Sequence, residues 1–122
     1  MVDKPDNFAE LPPVVQLNIL TDQLDDATRR LEFTGRDYAE AEHDYKVELA
    51  KVALQLRNTK EMPVTMLPLV VYGVESVADL RRNRDIAEAL YKANLEAINT
   101  VKLQIRVLHE QMQQDWGQQK YV

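Results

Sequence analysis

The chain of 122 residues contains no cysteine and only three glycines, and these shortages narrow the structures and chemistry that it can support. Without cysteine there is no disulfide framework, no thiolate ligand for zinc and no cysteine nucleophile. A hydrophobic share of 45% and a charged share of 29%, with so few glycines, favour helices over a turn-rich β fold. We therefore predict a soluble all-α protein in a reducing, cytoplasmic setting.

The sequence also lacks a long apolar run. No uninterrupted segment reaches the length needed to span a bilayer, and Met1–Asp6 carries acids and a proline where a signal peptide needs an apolar core. The net charge of −5 works against the attraction that anionic membranes and non-specific nucleic-acid binding require. We expect no membrane partner.

A seven-residue repeat predicts a first long helix from about Pro13 to Arg57. Its phase continues across Gly35, which favours one helix, and the alternative is a kink near Thr34 and Gly35. Residues 1–12 are predicted to form a flexible tail. The core positions are of two kinds: the a positions are Leu17, Leu24, Leu31, Tyr38, Tyr45 and Val52, and the d positions are Leu20, Ala27, Thr34, Ala41, Glu48 and Gln55.

Residues 58–75 form the connection to a second helix, since Pro63, Pro68 and Gly73 oppose a continuous helix there. The connection is unusually apolar for a linker. One interpretation is that it caps its own bundle or a sister subunit. The other is that it docks a different protein through adaptable apolar side chains, and the candidate partner-binding residues are Met62, Met66, Leu67, Leu69, Val70 and Tyr72.

The second helix is predicted to begin at about Val77, because Ser76-x-x-Asp79 resembles a capping box, and to end near Trp116 and Gly117. Residues 118–122 then form a C-terminal tail, and residues 13–117 form a single domain. The a positions of this helix are Val77, Arg84, Tyr91, Ile98, Ile105 and Met112, and the d positions are Leu80, Ala87, Asn94, Val101, Leu108 and Asp115. Leu90, Leu95 and Ala97 widen its apolar stripe, which suggests more than one neighbouring helix.

Two long helices joined by a short connection predict an antiparallel, coiled-coil-like helical hairpin. In the register that we predict, the polar core residues are Glu48 paired with Arg84, and Asn94. The alternative is that Glu48 and Arg84 both extend into solvent. The other predicted contacts are Tyr45 with Ala87 and Tyr91, Tyr38 with Asn94, Leu31 with Val101 and Ile105, Leu24 with Leu108, and Leu17 with Met112 and Trp116. The wide stripe predicts self-association of two hairpins into a four-helix bundle.

The sequence offers little chemistry for an enzyme. Glu40 and His43 have the Glu-x-x-His spacing of di-iron bundles, but both fall on the outer face, because Ala41 and Tyr45 occupy the seam. There is no phosphate-binding glycine loop and no nucleophile elbow. We predict no catalytic residues, no metal and no cofactor, and a metal-binding bundle is a remote alternative.

Arg81, Arg82 and Arg84 form the main basic cluster, so nucleic-acid binding is the second functional hypothesis. Nearby Asp79 and Asp85 offset their charge. Acidic residues from Asp37 to Asp44 form either a solvated face or a patch for a basic partner.

The runs Ala87–Ile98, Leu103–Leu108 and Gln114–Trp116, together with Asp37–Glu42 and Asp44–Lys46, resemble small, uncharacterised helical proteins encoded by bacteriophages and prophages. The connection departs from that pattern by being rich in proline, valine and leucine. The resemblance implies an accessory protein in the cytoplasm of an infected bacterium, and it supplies no catalytic residue. Our sequence-based hypothesis is a non-enzymatic helical oligomer that acts through protein contacts.

Overall fold

The computed structural model describes residues 3–60 and 62–120, with the side chains of Lys60, Gln118, Gln119 and Lys120 left undescribed. Within these ranges every regular element is helical, which confirms the all-α prediction. The elements are a turn of 3-10 helix at Phe8–Glu10, α1 at Pro13–Lys60, α2 at Leu67–Val71 and α3 at Glu75–Lys120. The two long helices pack together. No described helix has an apolar stretch long enough to span a bilayer.

Helix α1 begins at Pro13, where a fixed φ suits the first helical position and the missing N–H costs nothing. Gln16 closes this end, because its Nε2 donates to the Leu11 carbonyl at 2.7 Å. The helix continues through Gly35, as the unbroken heptad phase predicted, and it ends three residues later than expected. A Cβ at Gly35 would lie 3.5 Å from Tyr91, an ordinary van der Waals contact, so glycine is not required there for space.

The contacts divide the chain into two compact units. Unit 1 comprises the described parts of Met1–Glu32 and Ala93–Val122, and unit 2 comprises those of Phe33–Lys92. In unit 1 the core is formed by Leu20, Val101 and Leu108, all buried. The side chains packed around them come from the predicted seam and from the N-terminal segment: Phe8, Leu17, Leu24, Ile105 and Met112.

The core of unit 2 contains Tyr45, Val52, Val71 and Val77. Val77 is 0% exposed, and burial of a side chain of this kind contributes about 1.5–3 kcal/mol. Helix α2 completes this core on one side of the helix pair, where α1 presents positions e and b. The side chains packed around the core are Leu49, Ala53, Leu56, Leu67, Val74 and Leu80.

The predicted tails differ from the structure. The N-terminal segment was expected to be flexible, but it forms the 3-10 turn, and Phe8 packs against the core of unit 1 because its ring can bury apolar area there. At the other end α3 continues past Gly117 to Lys120, and residues 121–122 lie outside the described part. Trp116, predicted to lie beside Leu17, is 69% exposed because it occupies an e position outside the seam.

The predicted capping box is also wrong. Helix α3 begins at Glu75, so Ser76 already lies in its first turn, and the Ala78 N–H donates to the Val74 carbonyl at 2.8 Å. The Ser76 hydroxyl is thereby released from a capping role, and its Oγ donates to Glu48 Oε1 at 3.2 Å.

In unit 2 the predicted register is wrong by about one to two helical turns, whereas Leu17, Leu24, Leu108 and Met112 share the core of unit 1, as predicted. Tyr91 lies against Tyr38, with ring centroids 5.7 Å apart, rather than beside Tyr45. The Tyr45 ring instead lies 4.7 Å from the Arg84 guanidinium. A heptad repeat keeps the same residues in the seam after a shift of one repeat, so apolar periodicity could not choose between the registers. Packing of Val71 and Val77 together on Tyr45 and Val52 decides it.

Cross-linking can test this register cleanly, since the natural chain has no cysteine. In the double variant Glu48→Cys with Ser76→Cys, a short reagent that carries two thiol-reactive maleimide groups should join α1 to α3 rapidly, because the side chains of Glu48 and Ser76 touch. The matched control is Glu48→Cys with Arg84→Cys, which should react much more slowly. The readout is mobility of the monomer band on a denaturing gel, and faster reaction of the control pair would contradict the observed register.

Candidate interaction surfaces

One side of the helix pair in unit 2 is uncovered, and we call it the open side. It lies opposite α2, where α1 presents positions c and g and α3 does the same. A groove of about 160 Å³ runs along it, lined by Thr34, Asp37, Asn83, Ile86, Ala87 and Leu90. Ile86 and Leu90 are 54% and 59% exposed, and Phe33 and Val47 on α1 are also exposed. The open side therefore presents an apolar strip with a polar rim.

The connection divides its predicted partner-binding residues between core and surface. Leu67 packs against the core of unit 2, while Met62 and Val70 are half-buried. Met66, Leu69 and Tyr72 are exposed, with Leu69 the most exposed of the three at 74%. The two interpretations of the connection therefore apply to different residues: Leu67 and Val71 cap the core, and Met66, Leu69 and Tyr72 face outward.

The three arginines of the predicted basic cluster are separated by their local partners. Arg82 pairs with Asp79 at 3.7 Å, and Arg84 pairs with Asp85 at 2.8 Å. Arg81 lies over the Tyr72 ring, with its guanidinium carbon 5.1 Å from the centroid. An open concavity of about 450 Å³ on the outer face of α3 is lined by Tyr72, Ala78, Arg81, Arg82, Asp85, Ile86 and Ala89. Local carboxylates thus neutralise much of the cluster.

The polar core residues each find a different partner from the one predicted. Asn94 Nδ2 donates to the Ala27 carbonyl at 2.9 Å within unit 1. Arg84, whose side chain is only 22% exposed, stacks on Tyr45 and donates from Nε and Nη2 to Asp85 Oδ1. The hydrogen bond with Asp85 raises the pKa of the Arg84 guanidinium above its ordinary value. The expected pair of Glu48 with Arg84 is replaced by the bonds to Ser76 and Asp85.

A third concavity, of about 520 Å³, lies where the end of α1 meets the start of α3, next to the connection. It is lined by Glu48, Val52, Gln55, Leu56, Thr59, Val74 and Ser76. Its lining combines one carboxylate with amide, hydroxyl and aliphatic groups. No group of three or more His, Asp or Glu within residues 3–60 and 62–120 is arranged to hold a metal ion. His43 is exposed and lies 3.4 Å from the Asp44 carboxylate, on the outer face where the heptad placed it.

The sequence predicted Leu90 only as part of the widened apolar stripe, and the exposure of Ile86 and Phe33 was not predicted. A signal was present: Ile86, Leu90, Ala93 and Ala97 repeat at positions c and g of α3, beside the main seam. The contact of Arg81 with Tyr72 left no such signal, because it depends on how the connection turns back onto α3.

Fold and surfaces together define an all-α protein built on two long packed helices. No protein-family model, curated protein or solved structure matches the chain.

Stacking of Arg84 on Tyr45 can be measured by mutation. We expect Arg84→Gln to lower the free energy of unfolding by about 1 kcal/mol, because the half-buried guanidinium loses its contact with the ring and its bonds to Asp85. Lys46→Gln is the control and should change stability by less than about 0.5 kcal/mol, since the ion pair of Lys46 with Glu42 is exposed. Urea unfolding followed by circular dichroism gives both values, and equal effects would contradict a role for the stacked arginine.

Proposed function

We propose that the protein is a non-enzymatic helical protein that self-associates and acts through protein–protein contacts. The distribution of apolar surface supports this proposal. In the described part of the chain eight apolar residues are buried, whereas fourteen large ones are exposed, and nine of the fourteen belong to unit 2. Clustered exposed apolar side chains mark interaction surfaces more often than isolated ones do.

Self-association into four helices is the arrangement that fits unit 2 best. A pair of packed helices has two sides, and α2 covers one of them through Leu67 and Val71. The other side keeps Phe33, Ile86 and Leu90 in contact with water. A second pair of helices laid on that side would bury these residues, as in a four-helix bundle.

The outward part of the connection is a second proposed contact region, for a different protein. Val64, Met66, Leu69 and Tyr72 are all exposed there. Methionine is flexible and polarizable, so a surface that contains it can adapt to more than one partner. The resemblance to phage-encoded helical proteins would place such a partner in the cytoplasm of a bacterial host.

Binding of nucleic acid is the alternative function, through the end of α3 that carries Arg81, Arg82 and Arg84. The ion pairs of Arg82 and Arg84 weigh against it, because they reduce the positive field that phosphates would meet. We expect no retardation of DNA or RNA in a mobility-shift assay at low salt. Retardation that Arg81→Glu abolishes would support the alternative instead.

Self-association is tested by light scattering coupled to size exclusion. We expect the protein to elute as a dimer or larger species over a wide range of concentrations, because monomers would leave the strip on the open side in water. A monomer at every concentration would overturn the proposal. The double variant Met66→Ser with Leu69→Ser is the control, and it should keep the oligomeric state if the connection serves a different partner.

A further inference from the structure

The open side of unit 2 carries exposed apolar side chains from both long helices, with Asp37, Glu40 and Asp44 between those of α1. Helix α1 contributes Phe33 and Val47, which are 60% and 52% exposed, and α3 contributes Ile86 and Leu90. At roughly 100 Å² for each side chain of this size, the four expose about 400 Å² of apolar surface per copy. A standard interface buries about 800 Å² per partner, somewhat more than half of it non-polar. The strip is therefore close to what one side of a stable dimer needs.

Charges at the margin of this strip follow the same order along both helices, with the acidic residue before the basic one. Along α1 the acidic residue Asp44 comes first and the basic residue Lys51 follows. Along α3 the acidic residue Asp79 comes first and the basic residue Arg82 follows. Because the order is the same along both helices, packing α1 of one copy antiparallel to α3 of another brings Asp44 towards Arg82 and Lys51 towards Asp79.

The ion pairs that these charges form within one copy are weak enough to be replaced by pairs with a second copy. Arg82 reaches Asp79 at 3.7 Å, with both side chains more than half exposed, and such surface pairs contribute little. Asp44 is 63% exposed, and its ion-pair partner in the described part of the chain is His43. Exposed charges of this kind can steer a partner that carries the complementary order.

We infer that the occupant of the open side is a second copy of this chain, with α1 of each copy packed antiparallel on α3 of the other. The arrangement is isologous, because each copy supplies both halves of the contact and the same two pairings occur twice. Asp44 then lies at the level of Arg82 of the second copy, and Phe33 lies about one helical turn beyond Leu90. The inference rests on the proposed self-association and names the surface that carries it.

The apolar half of the inference is tested with two substitutions of the same kind on the same helix. Leu90→Glu places a charge in the strip, and we expect it to convert the dimer to a monomer. Leu103→Glu is the control, because Leu103 is exposed to a similar extent, 55%, but lies in unit 1. It should leave the dimer intact. Circular dichroism of both variants verifies that each remains helical.

The charged half is tested by reversal. Asp44→Arg and Arg82→Glu should each raise the dissociation constant of the dimer about tenfold or more, because like charges then face each other twice. The two changes combined in one chain, or an equal mixture of the two single variants, should restore the affinity, since opposite charges meet again. Sedimentation velocity measures each mixture.

The outcomes separate the two levels of the proposal. A wild-type monomer would overturn self-association itself. A wild-type oligomer that Leu90→Glu leaves unchanged would overturn this surface while self-association stands, and if Met66→Ser with Leu69→Ser dissociates it, the connection is the contact instead. Failure of the combined charge reversal to restore affinity would overturn the antiparallel pairing of α1 with α3.

Discussion

The apolar seam between α1 and α3 is the interaction on which the other features depend. Single long helices cannot bury an apolar stripe in water, and helix stability in proteins comes mainly from such packing. The seam supplies the core of each unit, with Leu20, Val101 and Leu108 in one and Tyr45, Val52 and Val77 in the other. Where polar residues interrupt it, as at Asn94 and Arg84, each takes a partner within its own unit.

The connection does more than join the two helices. Its short helix α2 places Val71, 2% exposed, on the same core as Val77. Val71 and Val77 share one core with Tyr45 and Val52. The start of α3 therefore lies nearer to the N-terminus of α1 than the predicted register placed it. That position sets the neighbours of Glu48 and of Tyr91, and it gives unit 2 one covered side and one open side. The proposed interaction surfaces are therefore consequences of how the connection packs.

Polar residues in the seam show why the sequence alone did not predict which side chains would pair there. Glu48 and Arg84 have opposite charges, and the sequence predicts them as a pair because an unpaired buried charge is costly. The structure satisfies both more locally: Arg84 uses Asp85 and the Tyr45 ring, and Glu48 accepts from Ser76. A polar side chain in the seam needs a hydrogen-bond or ion-pair partner, but this need does not identify the partner when several are within reach.

The sequence by itself determined the helical class, the two long helices, the residues that face the seam and the interruption between residues 60 and 75. Each of these features follows from local helix propensity and from the heptad periodicity, which repeats every two helical turns. Only the tertiary structure decided the register, the first turn of α3, the order in the N-terminal segment and the exposure of Ile86, Leu90 and Phe33. Those features depend on contacts between segments distant in sequence, and a seven-residue repeat is compatible with more than one set of them.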